Sequence, residues 1–243
     1  MPVDFEVVLP VLHFRSSDGG LDRDTTRRYA TRAARTWVDR FIVSGSTARG
    51  DLLAPAQRAE LLDLWLKVVQ APRLLACAWH ADDLLEAEHR GIAPMAVMQE
   101  LTDRHKACDF FAELPRSAYV YSHPTYSPTI LDAELVKLAR QQNLLPKGAK
   151  VAKTSTGEIK TIRAMAGTSF TLWDGSSRHI EASLKAGASG VVATPLSPLP
   201  TPFPQRSIAT LQPAIDKLQA DLDRQPSRAE RLTLLIKLAH YLS

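Results

Sequence analysis

The sequence predicts an α/β protein folded as a (β/α)8 TIM barrel with a short C-terminal helical tail. Three observations carry that prediction. Eight short apolar runs of strand type recur along the chain, each followed by a segment of helical type. Alternating units of this kind call for a parallel sheet with helices outside it, and eight of them in about 200 residues is the count of a closed barrel. The competing open, doubly wound sheet calls for a glycine-rich phosphate turn after its first strand. Here that turn reads SSDGG and leads into a helix without glycine.

In chain order, FEVVLPVLHF (Phe5 to Phe14) is the first strand, and Gly19 and Gly20 punctuate the turn after it. Residues 24–40 form an alanine- and arginine-rich helix. FIVSGST (Phe41 to Thr47) is the second strand, closing in a loop of small residues. The helix from Ala54 has Pro55 in its first turn, where the missing N–H costs nothing. RLLACAW (Arg73 to Trp79) is the third strand, and its helix stops at Gly91, a C′ glycine. APMAVM from Ala93 is the fourth strand, followed by a helix with Thr102 as its expected N-cap. AYVYSHP from Ala118 is the fifth and KVAK, Lys150 to Lys153, the sixth. SFTLWDG from Ser169 is the seventh, with Ser176 or Ser177 expected to cap its helix, and ASGVVATPLS from Ala188 is the eighth. The expected division is a barrel over 1–205 and a helical tail over 206–243, broken around Pro226 and packed on the barrel or on a partner subunit.

Thirty basic against twenty-six acidic residues leave a net charge of +4, with no block of five like charges. No nucleic-acid partner is expected; an anionic small molecule suits the excess equally well. No run of about 18 apolar residues is present to span a membrane. The opening MPVDFEVV lacks a basic segment followed by an apolar one, so no signal peptide and a cytoplasmic location are expected. Cys77 and Cys108 make neither a disulfide framework nor a zinc pattern, and the histidines share no metal-ligand spacing, so no metal is expected.

Barrels of this kind place their chemistry at the C-terminal ends of the strands. The stretch GAKVAKTSTGE is read as a strand with Val151 and Lys153 on its inward face, ending at a polar turn. An inward lysine is costly unless it is paired or used, and its pKa falls readily on burial. Lys153 is therefore either a nucleophilic amine or the partner of Glu100 or Asp174. A buried amine attacks a carbonyl carbon to form a Schiff base. Tyr121, at the end of the fifth strand, can relay the protons this step moves. Gly45, Ser46 and Thr47 supply backbone N–H groups and hydroxyls that can hold a carboxylate. His123 lies on the same side as Tyr121 if the strand runs that far, and His80 and Trp79 are further candidates for the pocket wall.

With those residues in place, the chain resembles the dihydrodipicolinate synthase / N-acetylneuraminate lyase family of Schiff-base barrels. VVLPVLHFRSSDGGLD resembles the family's opening strand and turn, and VSGSTARGDLLAPAQRAEL its G-[ST]-T-G-E loop and following helix. AYVYSHPTYSPTILDAELVKLA resembles its Y-N-x-P segment, and GAKVAKTSTGEI its lysine strand. FTLWDGSSRHIEASLKAGASGVVATPLSPLP resembles its last two units. The likeness covers about residues 3–205. It implies an imine on Lys153 with no separate cofactor, Tyr121 as proton relay, and Ser46 and Thr47 as binders of a 2-oxo acid carboxylate. It places Val192 near the same end of the pocket, and it implies assembly as a dimer or tetramer.

Departures from the pattern concern the choice of the second substrate. The G-[ST]-T-G-E loop ends in Ala48-Arg49, which is expected to bring a positive charge to the mouth. Ser122 and His123 replace two residues of Y-N-x-P, Tyr126 stands where the synthase carries an arginine, and the aromatics after the fourth strand are missing. The expected function is aldol-type making or breaking of a C–C bond on pyruvate or a related 2-oxo acid. Imine-based dehydration, decarboxylation or cyclisation, and a barrel that only binds ligand, are the alternatives.

Overall fold

The computed structural model describes residues 5–239. Eight parallel strands close a barrel in sequence order, β1 pairing back to β8. They are β1 (Glu6–Pro10), β2 (Arg40–Val43), β3 (Leu74–Ala78), β4 (Ala93–Val97), β5 (Tyr119–Ser122), β6 (Gly148–Val151), β7 (Thr171–Asp174) and β8 (Gly190–Val192). Between them run α1 (Arg23–Ala34), α2 (Pro55–Leu66), α3 (Ala81–His89), α4 (Arg104–Ala112), α5 (Ala133–Gln141), α6 (Thr156–Ala166) and α7 (Ile180–Lys185). Two further helices, α8 (Ile208–Asp223) and α9 (Arg228–Leu238), follow the barrel, with Pro226 between them as expected. The tail expected to reach Leu242 continues outside the described residues. The TIM-barrel prediction and its helical tail are what the structure shows.

Two of the expected caps move. Asp103, not Thr102, caps α4, its carboxylate accepting from the N–H groups of His105 and Lys106. An ionised acceptor at a helix N-terminus also meets the positive end of the dipole, which a threonine hydroxyl does not. Neither Ser176 nor Ser177 caps α7. His179 occupies that position, because the chain first makes a turn in which the Asp174 carboxylate accepts from the Ser176 N–H.

Strand side chains alternate between two buried environments. Val8, Ile42, Leu75, Cys77, Met95, Val97, Tyr119, Tyr121, Trp173 and Val192 fill the barrel interior. Their neighbours along the strands pack outward under the helices, as Val120, Ala149, Val151 and Leu172 do on one side. The lower end of the barrel is closed by Glu6, whose carboxylate accepts from Trp173 Nε1 at 2.7 Å and pairs with Arg40 at 3.2 Å. Chemistry is thereby confined to the other end, where the strands stop and the loops begin.

Candidate active site

β6 departs from its expected alignment, and the departure decides which lysine is inside. Tyr121 on β5 pairs with Lys150, and Lys150 pairs with Trp173 on β7. Lys150 therefore shares the interior row with two aromatic residues and is 5% exposed. Val151 faces the helices, and the strand ends there. Lys153 lies two residues beyond the strand, exposed, with φ of 57°. The expectation that Lys153 points into the barrel is corrected. The two lysines are three residues apart, so in a period-two strand they cannot share a face. Both faces of β6 are buried, so apolar alternation gave no means of telling in from out.

Lys150 Nζ sits 3.9 Å from the centre of the Tyr121 ring. No carboxylate among the described residues pairs with it, and burial lowers its pKa from 10.5 to about 8. At that value roughly one molecule in ten carries the free amine at pH 7, several hundred times the share for an ordinary lysine. Burial also pushes the Tyr121 phenol up to about 12, so it is a proton donor at neutral pH. Its Oη lies 3.2 Å from Ser46 Oγ.

Ser46 and Thr47 begin a single helical turn, Ser46–Ala48, immediately after β2. Gly45 accepts from the N–H groups of Ala48 and Gly50 and so folds this loop back on the strand end. Gly50 is required there: a Cβ at that position would stand 1.7 Å from the Ser44 carbonyl oxygen. Behind the loop lies a buried ion pair. Arg58 Nε donates to Asp83 at 2.7 Å, and the other Asp83 oxygen accepts from the backbone of Trp79 and His80. Trp79 Nε1 in turn donates to the Ser44 carbonyl at 2.9 Å. The ends of β2 and β3 are locked together by this network.

The open end of the barrel is a cleft of about 420 Å³, lined by Ser46, Thr47, Tyr121, His123 and Lys150 among others. Lys153, Arg178, Arg228 and Arg231 also line it, and no aspartate or glutamate does. Arg178 is paired with Asp223 at 2.8 Å. Arg228 and Arg231 come from α9, so the tail forms one wall of the cleft. His123 is half-buried; its Nδ1 accepts from the Thr125 N–H, and burial together with Arg228, Lys150 and Lys153 lowers its pKa to about 4.

The other expected positions fall as follows. Val192 lies in the barrel interior, fully buried beneath the cleft rather than in its wall. Arg49 does not reach the cleft: in a left-handed conformation (φ 59°), it pairs with Asp51 at 2.9 Å and lines a groove on the opposite side of α9. Glu100 is exposed and pairs with neither Lys153 nor Arg49, and Asp174 accepts from Ser176 and Ser183. His80 is exposed, while Trp79 is part of the interior. Sequence reasoning missed Lys150, Arg228 and Arg231. The pairing of Lys150 with Tyr121 was available only through strand register, and the two arginines are two among many in helical segments.

No family model and no curated protein matches the sequence. Comparison with solved structures finds many similar barrels. Dihydrodipicolinate synthase from Agrobacterium tumefaciens superposes with a TM-score of 0.80 at 16% identity, over 99% of this chain and 89% of that one. The 2-keto 3-deoxygluconate aldolase from Picrophilus torridus gives 0.80 at 16% identity, over 97% and 93%. The 4-hydroxy-tetrahydrodipicolinate synthase from Methylacidiphilum fumariolicum gives 0.71 at 18% identity, over 98% and 97%. Across nearly its whole length, this chain has the fold of the dihydrodipicolinate synthase and 2-keto-3-deoxygluconate aldolase barrels.

Proposed function

We propose that the protein is a lyase or synthase of the class I aldolase type, acting on a 2-oxo acid through an imine on Lys150. The carrying observation is a buried lysine without a carboxylate partner, at the floor of an open cleft and against a tyrosine. A free amine there attacks the 2-oxo carbon, and the carbinolamine loses water to give an iminium ion. Tyr121 donates the proton that the leaving hydroxyl requires. The iminium then withdraws electrons from C3, so a proton or an aldehyde fragment departs and leaves an enamine. Ser46 and Thr47 hold the carboxylate, whose charge the cationic cleft favours. In this reading Lys150 takes the role that the sequence had assigned to Lys153, and Lys153 stands at the entrance. The family implied by the sequence motifs, and the dimer or tetramer that goes with it, belong to the same proposal.

The test is borohydride reduction in the presence of pyruvate, followed by peptide mass mapping. A stable adduct on Lys150, absent from Lys150→Ala, is expected. An adduct confined to Lys153, or none on folded protein across a panel of 2-oxo acids, refutes the proposal.

A further inference from the structure

The groove on the other side of α9 is larger than the cleft, at about 840 Å³. Small-molecule sites span roughly 300–1,000 Å³, so it is of a size to hold one. Its floor is His13, in the loop just past β1 and only 6% exposed. The imidazole makes no hydrogen bond among the described residues, although it is buried and lines the groove. A buried polar ring without a partner is costly, and one facing a cavity is accounted for by an occupant of that cavity. Burial, and then the nearby charge of Arg15, lowers the His13 pKa to about 4, so the ring is neutral with one N–H to donate. Arg15 lines the groove beside it. Its guanidinium donates to the Gly19 carbonyl at 3.3 Å, and no carboxylate among the described residues pairs with it. The other charged groups are in use: Arg49 pairs with Asp51, Arg28 donates to Thr25 Oγ1, and the Asp22 carboxylate caps α1. The remaining walls include Phe14, Leu52, Leu232 and Ile236, all apolar. Leu52 is 61% exposed, so the groove presents open apolar surface next to a cation.

We propose that this groove is a second binding site, which takes a small molecule carrying one carboxylate on an apolar body. One carboxylate oxygen accepts from the His13 ring N–H and the other from the Arg15 guanidinium, a charge-assisted contact. The apolar body lies along Phe14, Leu52, Leu232 and Ile236 and takes their surface out of water. A single uncommitted cation suits a single negative charge. A phosphate dianion would bring a second one into a groove already bordered by Asp22. The groove and the cleft share two walls. Ala48 and Leu52 line the groove from the loop whose Ser46 and Thr47 line the cleft. On α9, Ala229, Leu232 and Ile236 face the groove, and Arg228, Arg231 and Leu235 face the cleft. A molecule in the groove therefore packs against the backs of both walls without entering the cleft. The site stands apart from the imine chemistry and does not depend on it.

The experiment titrates the full chain calorimetrically with octanoate below its micelle-forming concentration, and with octanol, octylamine, octyl phosphate and acetate for comparison. Wild type, Arg15→Gln, Ala229→Glu and Lys150→Met are compared, each with its melting temperature and sedimentation behaviour. Octanoate is expected to bind wild type at one site per chain, more tightly than any of the other four. Arg15→Gln changes an exposed side chain and should weaken octanoate by about 10-fold or more, the usual worth of a charge-assisted hydrogen bond. Ala229→Glu sets a carboxylate in the groove from an exposed helix position and should weaken it at least as much. Lys150→Met alters the cleft alone and should bind octanoate as wild type does. The proposal is overturned if octanoate shows no saturable binding, or if octanol, octylamine or octyl phosphate binds as tightly. Affinity unchanged in folded Arg15→Gln and Ala229→Glu overturns it too, as does loss of binding in Lys150→Met, which would put octanoate in the cleft. A wild-type dimer that Ala229→Glu breaks into monomers also overturns it, because a second copy of the chain would then cover the groove. None of these outcomes bears on whether Lys150 forms an imine, which the borohydride test reads separately.

Discussion

Replacing Lys150 by methionine tests the burial argument without any substrate. In the folded chain the ammonium is desolvated and its pKa falls from 10.5 to about 8. Each unit of pKa difference is about 1.4 kcal/mol, so the charged form costs the fold about 3 kcal/mol. The sign follows from proton counting. Below pH 8 both folded and unfolded chains hold the proton, and the full penalty is present. Between pH 8 and 10.5 the folded chain has lost the proton and the unfolded chain still binds it, so stability rises with pH. Above 10.5 the penalty is gone. Methionine has a similar length and no charge to desolvate, so Lys150→Met is expected to be more stable at pH 7 by about 1–3 kcal/mol. That advantage should shrink towards zero by about pH 10.5. The assay is urea unfolding of both proteins from pH 7 to 10.5, compared by midpoint. Other groups that titrate in this range are common to both proteins and cancel in the difference. Midpoints that keep a constant separation across the range would refute the claim that Lys150 is a desolvated cation, and with it the ready supply of free amine.

Two more predictions concern the walls of the cleft. Asp83→Asn removes the charge opposite buried Arg58 and should destabilise the protein by about 3–5 kcal/mol, read as a loss of melting temperature. The double replacement Arg58→Met with Asp83→Leu should recover part of that loss, since no unpaired charge remains. His123 is neutral throughout the physiological range, because its pKa lies at about 4. A pH–rate profile between pH 5 and 8 should therefore have the same shape for wild type and His123→Gln; an inflection near 6.5 that disappears in the variant would show that His123 titrates where it was expected not to.

The barrel was legible because its signal is repeated eight times: each apolar run is too short for a helix and is followed by one. Position along the chain was equally legible. Tyr121, Ser46 and Thr47 were placed at strand ends, and all three line the cleft. Facing was not legible. Deciding between Lys150 and Lys153 needed the parity of a four-residue strand, Gly-Ala-Lys-Val, that is buried on both sides and shows no polar–apolar alternation to fix it. Arg49 failed for a different reason. It was read from its place after Thr47, but its left-handed backbone sends the side chain to Asp51 and to the far side of α9. A single φ angle outside the usual regions is invisible to any argument from spacing.

The tail shows the same limit in a form that bears on function. Residues 206–243 were expected to be packing material, and nothing in their composition separates Arg228 and Arg231 from the other arginines of the chain. What distinguishes these two is the path of the chain. α8 runs beside α7, the break at Pro226 turns the chain back, and Ser227 caps a new helix. The first turn of that helix therefore lies over the open end of the barrel. α9 then has a cavity on each side, the cleft at Arg228 and Arg231 and the groove at Leu232 and Ile236. Leu235 of this helix is fully buried in the core among the described residues, and Leu232, Leu234 and Ile236 pack against that core beside it. The helix also sets a guanidinium on the Tyr126 phenol, 2.6 Å away and 102 residues distant in sequence. The barrel strands supply the amine and the first phenol of the site, and the arrangement of charge around them is completed only when the end of the chain returns.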